Sequence, residues 1–325
     1  MEPCDSCSYT YFCAIATFFE NNEKSVQFFR DHKVLPSEVV CPKCGAKCSY
    51  REDQNIWRCT STYAIRGRKK RRSCGFSVSD RKGTFLDMAK VPPWKIVLFV
   101  NHFLSRYWDH KGVIESLHLS SATFVLWRSF CCKVTDHWFA NQAAIGGAGL
   151  EVEIDDALIC RRRCRPNRVS EPIWLFGGVE RASKRHFVVP LATGSAGHKR
   201  NRTTLIRLVK KYVKPESIII CSDAWLAACN DLNQSGYRNY AVGHSENVVD
   251  PSSPSVHTQS IERLWLDLRK WVKRPGNRGK YLYQSLARYL FVSSDSASLH
   301  NFFLQTGQLY PHKTREDIEE SNNNS

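Results

Sequence analysis

Three acidic residues of this chain stand where carboxylates are suited to binding metal ions. Asp155 lies inside the apolar run 152–159, Asp223 closes the apolar run 217–223, and Glu262 opens a helical pattern. The remainder of the chain is strongly basic, with a net charge of +16. Carboxylates set among so much positive charge can hold divalent cations against a phosphate backbone. Asp155, Asp223 and Glu262 are therefore our candidate catalytic residues and candidate ligands of Mg²⁺ or Mn²⁺.

Each of the three acids also has an ordinary structural interpretation. Asp156 competes with Asp155, because adjacent strand residues point to opposite faces and only one of the two can face a site. Asp223 can simply cap the helix that follows it. Glu262 can be a first-turn acid that the helix dipole favours. The order and spacing of the three together favour the catalytic interpretation.

Four cysteines predict a structural zinc site. Cys41 and Cys44 flank Pro-Lys and precede a glycine, a knuckle that lets backbone amides turn around a metal, and Cys59 and Cys74 supply the remaining thiolates. Cys48 is the main competitor for a ligand position. No secretory leader is visible, so we expect an intracellular protein whose cysteines bind metal or fill the core and do not form disulfides.

Basic residues are concentrated beside these cysteines. Residues 41–95 hold fourteen basic and four acidic groups, and six of the seven residues in 66–72 are basic. Such a cluster predicts contact with nucleic acid, with nuclear import and a solvated loop as alternatives. Arg269 lies two helical turns after Glu262 and is placed to reach a phosphate. The candidate DNA-binding residues are Arg68, Lys69, Lys70, Arg71, Arg72, Arg269, Lys270 and His257.

The periodicity from residue 150 onward predicts an α/β domain with an RNase H-like core. Three strands come first, and further strands follow through helical crossovers. The predicted strands are 152–159, 173–179, 186–191, 217–221 and 237–242, and the predicted helices are 203–213, 224–233 and, as the last one, 258–273. In this order Asp155 lies mid-strand and Asp223 lies just past a neighbouring strand, so the carboxylates converge.

Upstream of this core the sequence predicts smaller modules. A short helix, a turn at 118–121 and a longer helix at 122–138 suggest a helix-turn-helix, with a plain helical spacer as the alternative. No apolar run approaches the length of a membrane span. The predicted domains are an acidic helical segment at 1–38, a zinc ribbon at 39–86, a helix-turn-helix-like region at 90–142, the catalytic domain at 150–295 and a tail at 296–325 whose end is disordered.

Several motifs together resemble the DDE transposases, specifically the Merlin type and its bacterial insertion-sequence relatives. They are CPKCG at 41–45, GTF at 83–85, VEIDD at 152–156, SDAW at 222–225 and HTQSIERLW at 257–265. The resemblance carries the family's catalytic positions onto Asp155, Asp223 and Glu262. The chain departs from the family at Asp156, where a glutamate is usual, and in the long basic insertion that separates Cys59 from Cys74.

The resemblance implies cut-and-paste transposition in the nucleus. Water would nick the element end, and the freed 3′ hydroxyl would attack target DNA, with Mg²⁺ or Mn²⁺ at the acidic triad and Zn²⁺ in the ribbon. The implied partners are terminal inverted repeats, target DNA and further copies of this chain in a dimer or larger synapse. Two alternatives are a domesticated DNA-binding regulator that keeps the fold, and a nuclease that cuts RNA–DNA hybrids or junctions.

Overall fold

The protein is a mixed α/β chain made of two compact units. The structure, a computed structural model, describes residues 9–64, 71–87, 89–106, 109–162, 171–192, 198–199, 201–222, 225, 231–242, 257–273 and 281–311. One unit comprises Met1–His137 with Asp295–Ser325, and the other comprises Trp138–Ser294. Within the described ranges, no helix is both long enough and apolar enough to cross a membrane.

The helices and strands are numbered in chain order. The helices are α1 Tyr11–Phe18, α2 Asn22–Asp31, α3 Pro93–Leu104, α4 His110–Ser116, α5 Ser121–Ala140, α6 Arg202–Tyr212, α7 Gln259–Val272, α8 Leu282–Val292 and α9 Leu299–Leu309. The strands are β1 Ser49–Arg51, β2 Ile56–Arg58, β3 Thr62–Ala64, β4 Arg71–Ser73, β5 Ser77–Ser79, β6 Glu151–Arg162, β7 Glu171–Glu180, β8 His186–Ala192, β9 His198–Lys199, β10 Ile218–Ser222 and β11 Arg238–Val242.

The first unit has an aromatic helical core and a small β region. Phe29 and Phe303 pack edge to face with ring centroids 5.2 Å apart, which joins α2 to α9, and both rings are buried. The strands β1, β2 and β5 form one antiparallel sheet, and β3 pairs with β4 in a separate hairpin. The predicted tail therefore contains a packed helix, α9, and its end from residue 312 lies outside the described residues.

The predicted short helix, turn and longer helix correspond to α4 and α5. Asp109 caps α4 by accepting from the amides of Lys111 and Gly112, and the Ser120 hydroxyl accepts from the Thr123 amide at the start of α5. Arg128, one of the few basic residues of α5, is 9% exposed. Its burial removes it from the groups that a phosphate could reach.

The second unit is built on a six-stranded mixed sheet in the order β11-β10-β6-β7-β8-β9. The strands β6, β7 and β8 are antiparallel neighbours, and β10 and β11 are parallel to each other and to β6. One face of this sheet packs on α6, where Ile154, Phe176 and Leu208 share a buried cluster. Helix α7 contacts β6 and β7.

The prediction that 258–273 is the last helix is wrong, because α8 and α9 follow it. Helix α8 begins after Tyr281 without a side-chain cap, and it has no acidic residue in its first turn and no basic residue in its last. It therefore lacks the usual sequence signals of a helix start and stop. Its stability comes from burial: Leu286, Leu290 and Phe291 are each at most 3% exposed. The predicted helix 224–233 lies mostly outside the described residues.

Candidate functional sites

Asp155 lies on the central strand β6 and faces helix α7. The indole Nε1–H of Trp265 on α7 donates to Asp155 Oδ2 at 3.0 Å. On the neighbouring strand β7, Asp155 is paired with Gly177. The preceding residue Ile154 points to the opposite face, into the buried cluster that packs on α6. Because side chains alternate along a strand, Asp156 shares the face of Ile154, and Asp155 alone of the two acids faces α7.

Glu262 lies in the first turn of α7 and is half-buried. It precedes Trp265 by three residues, so the Cβ atoms of these two residues are about 5–6 Å apart on one side of the helix. Among the residues that the structure describes, no hydrogen bond or ion pair engages the Glu262 carboxylate. The helix thus carries one unengaged carboxylate beside the side chain that contacts Asp155.

Helix α7 contacts strand β6 at three successive helical turns. The Ile261 amide donates to Glu153 Oε2 at 2.9 Å, Trp265 reaches Asp155, and Arg269 Nη2 lies 3.4 Å from the carbonyl oxygen of Leu158. The first two contacts are four residues apart on α7, about 6 Å along the helix, and two residues apart on β6, about 6.7 Å along the strand, so both fall on the same face of β6. The third contact reaches a backbone carbonyl three residues after Asp155, beside the register shift between Leu158 and Cys160. Together the three contacts hold α7 along β6 over three turns.

The carboxyl end of β10 comes to the level of Asp155. The parallel pairing of β10 with β6 runs through Ile220 opposite Glu153 and Cys221 opposite Ile154, and β10 ends at Ser222. The predicted adjacency of these two strands is therefore present. Asp223, the next residue, lies outside the described residues, so its part in the acidic triad stays a prediction.

A buried ion pair anchors the start of α7 to the sheet. Glu153 is fully buried, and its Oε1 accepts from Arg181 Nε at 2.7 Å while its Oε2 accepts from the Ile261 amide at 2.9 Å. Arg181 also donates to Glu151 Oε2 at 2.7 Å and to the carbonyl oxygen of His257. Glu153 thereby fixes the first turn of α7, and Arg181 fixes the segment at His257 that precedes the helix.

This anchor replaces the local cap that α7 lacks. Thr258 occupies the N-cap position but makes no side-chain capping bond, and its buried hydroxyl has no hydrogen-bond partner among the described residues. Glu153 instead satisfies the Ile261 amide from a distant strand. Sequence patterns alone do not identify Glu153, Arg181 and Trp265 as residues of the site. The available signal for Glu153 was an acidic residue between two apolar ones in a buried strand.

The four predicted cysteines form one cluster. Cys41 Sγ and Cys74 Sγ are 3.5 Å apart, as are Cys44 Sγ and Cys59 Sγ, and all four sulfur atoms lie within 4.8 Å of one another. Tetrahedral zinc with Zn–S bonds of about 2.3 Å requires S–S separations of about 3.8 Å. The cluster therefore fits a structural metal ion such as zinc.

The insertion between Cys59 and Cys74 does not keep these two cysteines apart, because strands β3 and β4 pair with each other. Strands β3 and β4 pair antiparallel from Thr62 opposite Ser73 to Ala64 opposite Arg71. The Cys74 amide donates to the Ser61 carbonyl oxygen at 2.9 Å, just outside this pairing. Antiparallel pairing brings the two ends of the insertion together whatever its length, so distance along the sequence does not prevent a compact site.

The environments of Cys44 and Cys48 differ. A hydrogen bond from the backbone at Ala46 lowers the pKa of the Cys44 thiol to about 7, which favours the thiolate that a metal requires. Burial raises the pKa of Cys48 to about 11 and that of Cys74 to about 12, so the thiol pKa does not separate the clustered cysteines from Cys48, and position does. Cys48 is 4% exposed and is not a member of the four-sulfur cluster. The structure thus selects Cys41, Cys44, Cys59 and Cys74 from the five candidates.

The candidate DNA-binding residues occupy different settings. Arg71 and Arg72 are exposed on β4, while Arg68, Lys69 and Lys70 lie outside the described residues. The half-exposed ring of Tyr63, on the paired strand β3, stands opposite Arg72.

On α7, Lys270 is exposed and Arg269 is half-buried against β6. The ring of His257 lies 3.6 Å from Glu153 Oε1, and its side chain is 27% exposed. His257 thus belongs to the anchor at the start of α7, and its predicted contact with DNA stays a prediction.

A scan against protein-family models finds no match, and a search of curated proteins also finds none.

Proposed function

We propose that this chain is a DNA transposase of the DDE type with an RNase H-like catalytic core. The observation that carries the proposal is the placement of Asp155 on the central strand, facing the helix that bears Glu262 and level with the carboxyl end of β10. Three antiparallel strands extended by two parallel strands support the RNase H-like assignment. The motifs VEIDD and HTQSIERLW lie on the two elements that meet here.

The side chains of the site have separable roles in the proposed reaction. Asp155 and Glu262, with Asp223, would hold Mg²⁺ or Mn²⁺, hard cations that prefer carboxylate oxygens. Such ions, when bound, supply activation of the attacking oxygen and stabilisation of the leaving oxygen in an in-line displacement at phosphorus. Arg269 extends the positive charge along α7. The Glu153–Arg181 pair keeps α7 in register with β6.

DNA binding would come from the β3–β4 hairpin and the four-cysteine cluster. We propose that the cluster is the zinc site of a ribbon, which fixes the base of a hairpin that carries Arg71 and Arg72. The basic residues at 66–70 continue this charge in the sequence. A two-stranded β-ribbon fits the major groove, and arginines contact phosphates. The proposed reaction requires a dimer or larger synapse, because two element ends must be held together. The reaction would take place in the nucleus.

A strand-cleavage and joining assay tests the proposal. The substrates are duplexes made from the genomic sequence on either side of the coding region, with supercoiled plasmid as target and with Mg²⁺ or Mn²⁺ present. We expect Asp155→Asn, Asp223→Asn and Glu262→Gln to abolish cleavage and joining.

Asp156→Asn is the matched control, since it removes the adjacent charge on the opposite face of β6. Equal activity of the wild type and Asp155→Asn, or equal loss in Asp155→Asn and Asp156→Asn, contradicts the proposed site. DNA binding without metal-dependent cleavage by the wild type would support a domesticated regulator. Cleavage of RNA–DNA hybrids without joining would support a nuclease.

A further inference from the structure

Trp265 makes a polar contact, although the apolar pattern of α7 predicts only that it is buried. It belongs to the buried stripe of α7, with Ile261 and Leu268, and it is 2% exposed. The indole nitrogen is a donor only, and here it donates to Asp155 Oδ2 at 3.0 Å. A buried tryptophan needs one such acceptor, and a carboxylate is the strongest acceptor that a side chain offers.

The β-sheet provides the space for this contact at Gly177. A Cβ atom added there would lie 2.8 Å from Cη2 of the Trp265 ring and 3.0 Å from the Phe187 carbonyl oxygen. Both distances are too short for an unperturbed side chain. Gly177 is also the residue paired with Asp155 across β6 and β7. The ring therefore lies over Gly177, a position beside Asp155 where the sheet has no side chain.

We propose that Trp265 is a positioning residue for Asp155, and that its N–H fixes the orientation in which the carboxylate receives a divalent cation. The inference rests on the proposed function, since it assumes that Asp155 is a metal ligand. A group that orients a metal ligand acts through geometry, and removing one commonly weakens metal affinity about 10–100-fold. The indole is neutral, so it orients Asp155 without cancelling the negative charge that attracts the cation.

The position of Trp265 also links the two ligands. It lies one helical turn after Glu262, on the same side of α7. Its hydrogen bond therefore ties the helix that carries one proposed ligand to the strand that carries another. A shift of α7 along β6 would break this contact and move Glu262 at the same time.

Trp265→Phe is the direct test, because it keeps an aromatic ring and removes the N–H donor. Trp271→Phe is the matched control: Trp271 lies on the same helix, is 2% exposed, and donates its own Nε1–H to the Ser285 hydroxyl at 2.9 Å. Mn²⁺ affinity of the full chain is measured by electron paramagnetic resonance of the free ion. The Mn²⁺ binding that is lost in Asp155→Asn is the Asp155-dependent binding. Circular dichroism verifies that each variant folds.

We expect Trp265→Phe to weaken the Asp155-dependent binding about 10–100-fold, while Trp271→Phe binds as the wild type does. Gly177→Ala, which displaces the ring and keeps the donor, should weaken binding in the same direction. If Trp265→Phe retains full Asp155-dependent affinity, or if Trp271→Phe weakens it as much, the positioning role is wrong and the proposed function stands. If the wild type and Asp155→Asn bind Mn²⁺ equally, the proposed metal site fails and the positioning role fails with it.

Discussion

Replacing Arg181 with methionine tests the anchor that holds α7 to the sheet. The guanidinium is 13% exposed and contacts Glu153 and Glu151 at 2.7 Å each. Methionine keeps much of the apolar stem and removes every donor. The change would leave the Glu153 carboxylate, which is fully buried, without its cationic partner. The Ile261 amide would remain as the donor to Glu153 Oε2.

The expected cost follows from this burial. Removing one member of a buried ion pair costs about 3–5 kcal/mol, mainly because the other charge stays out of water. The unit Trp138–Ser294 is in the size range where 1 kcal/mol shifts the melting temperature by about 2–4 °C. Arg181→Met should therefore lower the melting temperature of the transition that reports this unit by about 6–20 °C.

A double variant tests whether the unpaired charge of Glu153 causes the loss of stability in Arg181→Met. Glutamine at position 153 is neutral and still offers an acceptor to the Ile261 amide. Glu153→Gln combined with Arg181→Met should therefore be more stable than Arg181→Met alone.

The assay is thermal unfolding of the full chain followed by circular dichroism. The matched control is Arg202→Met, which removes an arginine that binds Asp231 at 2.7 and 3.0 Å on the surface of the same unit. Such an exposed pair contributes about 0–1 kcal/mol, so removing it should shift the melting temperature by less than about 4 °C. A double variant less stable than Arg181→Met, or equal shifts for Arg181→Met and Arg202→Met, would refute the reasoning.

Three further predictions concern the first unit. Cys59→Ser should abolish the binding of one zinc ion per chain, measured by atomic absorption, whereas Cys48→Ser should retain it; the reverse pattern would exchange their roles. Fluorescence anisotropy gives the slope of the logarithm of the duplex-binding constant against the logarithm of the salt concentration. Replacing both Arg71 and Arg72 with serine should reduce the magnitude of this slope by about 0.9 for each phosphate that the two arginines neutralise. An unchanged slope would exclude the hairpin from the DNA-binding surface. Burial lowers the pKa of His32, so the folded state resists its protonation and loses stability as the pH falls from about 6.5 toward the folded-state pKa. His32→Phe should flatten this dependence in denaturant melts, and an equally steep loss would assign it to other groups.

The elements that carry the candidate site could be predicted because their periodicity is strong. Helix α7 buries Leu264, Leu268 and Trp271 at helical spacing, and the observed helix lies within the predicted range 258–273. The order of strands followed from apolar runs of strand length separated by helical patterns. Alternation states only that Asp155 and Asp156 lie on different faces of β6. The resemblance favoured Asp155, and Asp155 is the one of the two that contacts α7.

The contacts that orient the site could not be predicted, because they join residues far apart in sequence. Arg181 sits in the turn between β7 and β8, where an arginine ordinarily extends into solvent. Its pairing with Glu153 depends on the return of β7 alongside β6. The four-cysteine cluster shows the opposite case. The sequence predicted one site from Cys41, Cys44, Cys59 and Cys74 although an insertion lies between the last two, and the pairing of β3 with β4 brings those two cysteines together.

The two acids on the α7 face of β6 show how environment divides similar side chains into different roles. Glu153 and Asp155 lie two residues apart on one strand and face one helix. Glu153 binds a guanidinium and a backbone amide, so its charge is already compensated and its oxygens are occupied by donors. Asp155 Oδ2 accepts from a neutral indole, which gives the carboxylate a direction and adds no positive charge. The packing of α7 against β6 thus makes Glu153 an anchor of the helix, and the proposed function assigns cation binding to Asp155.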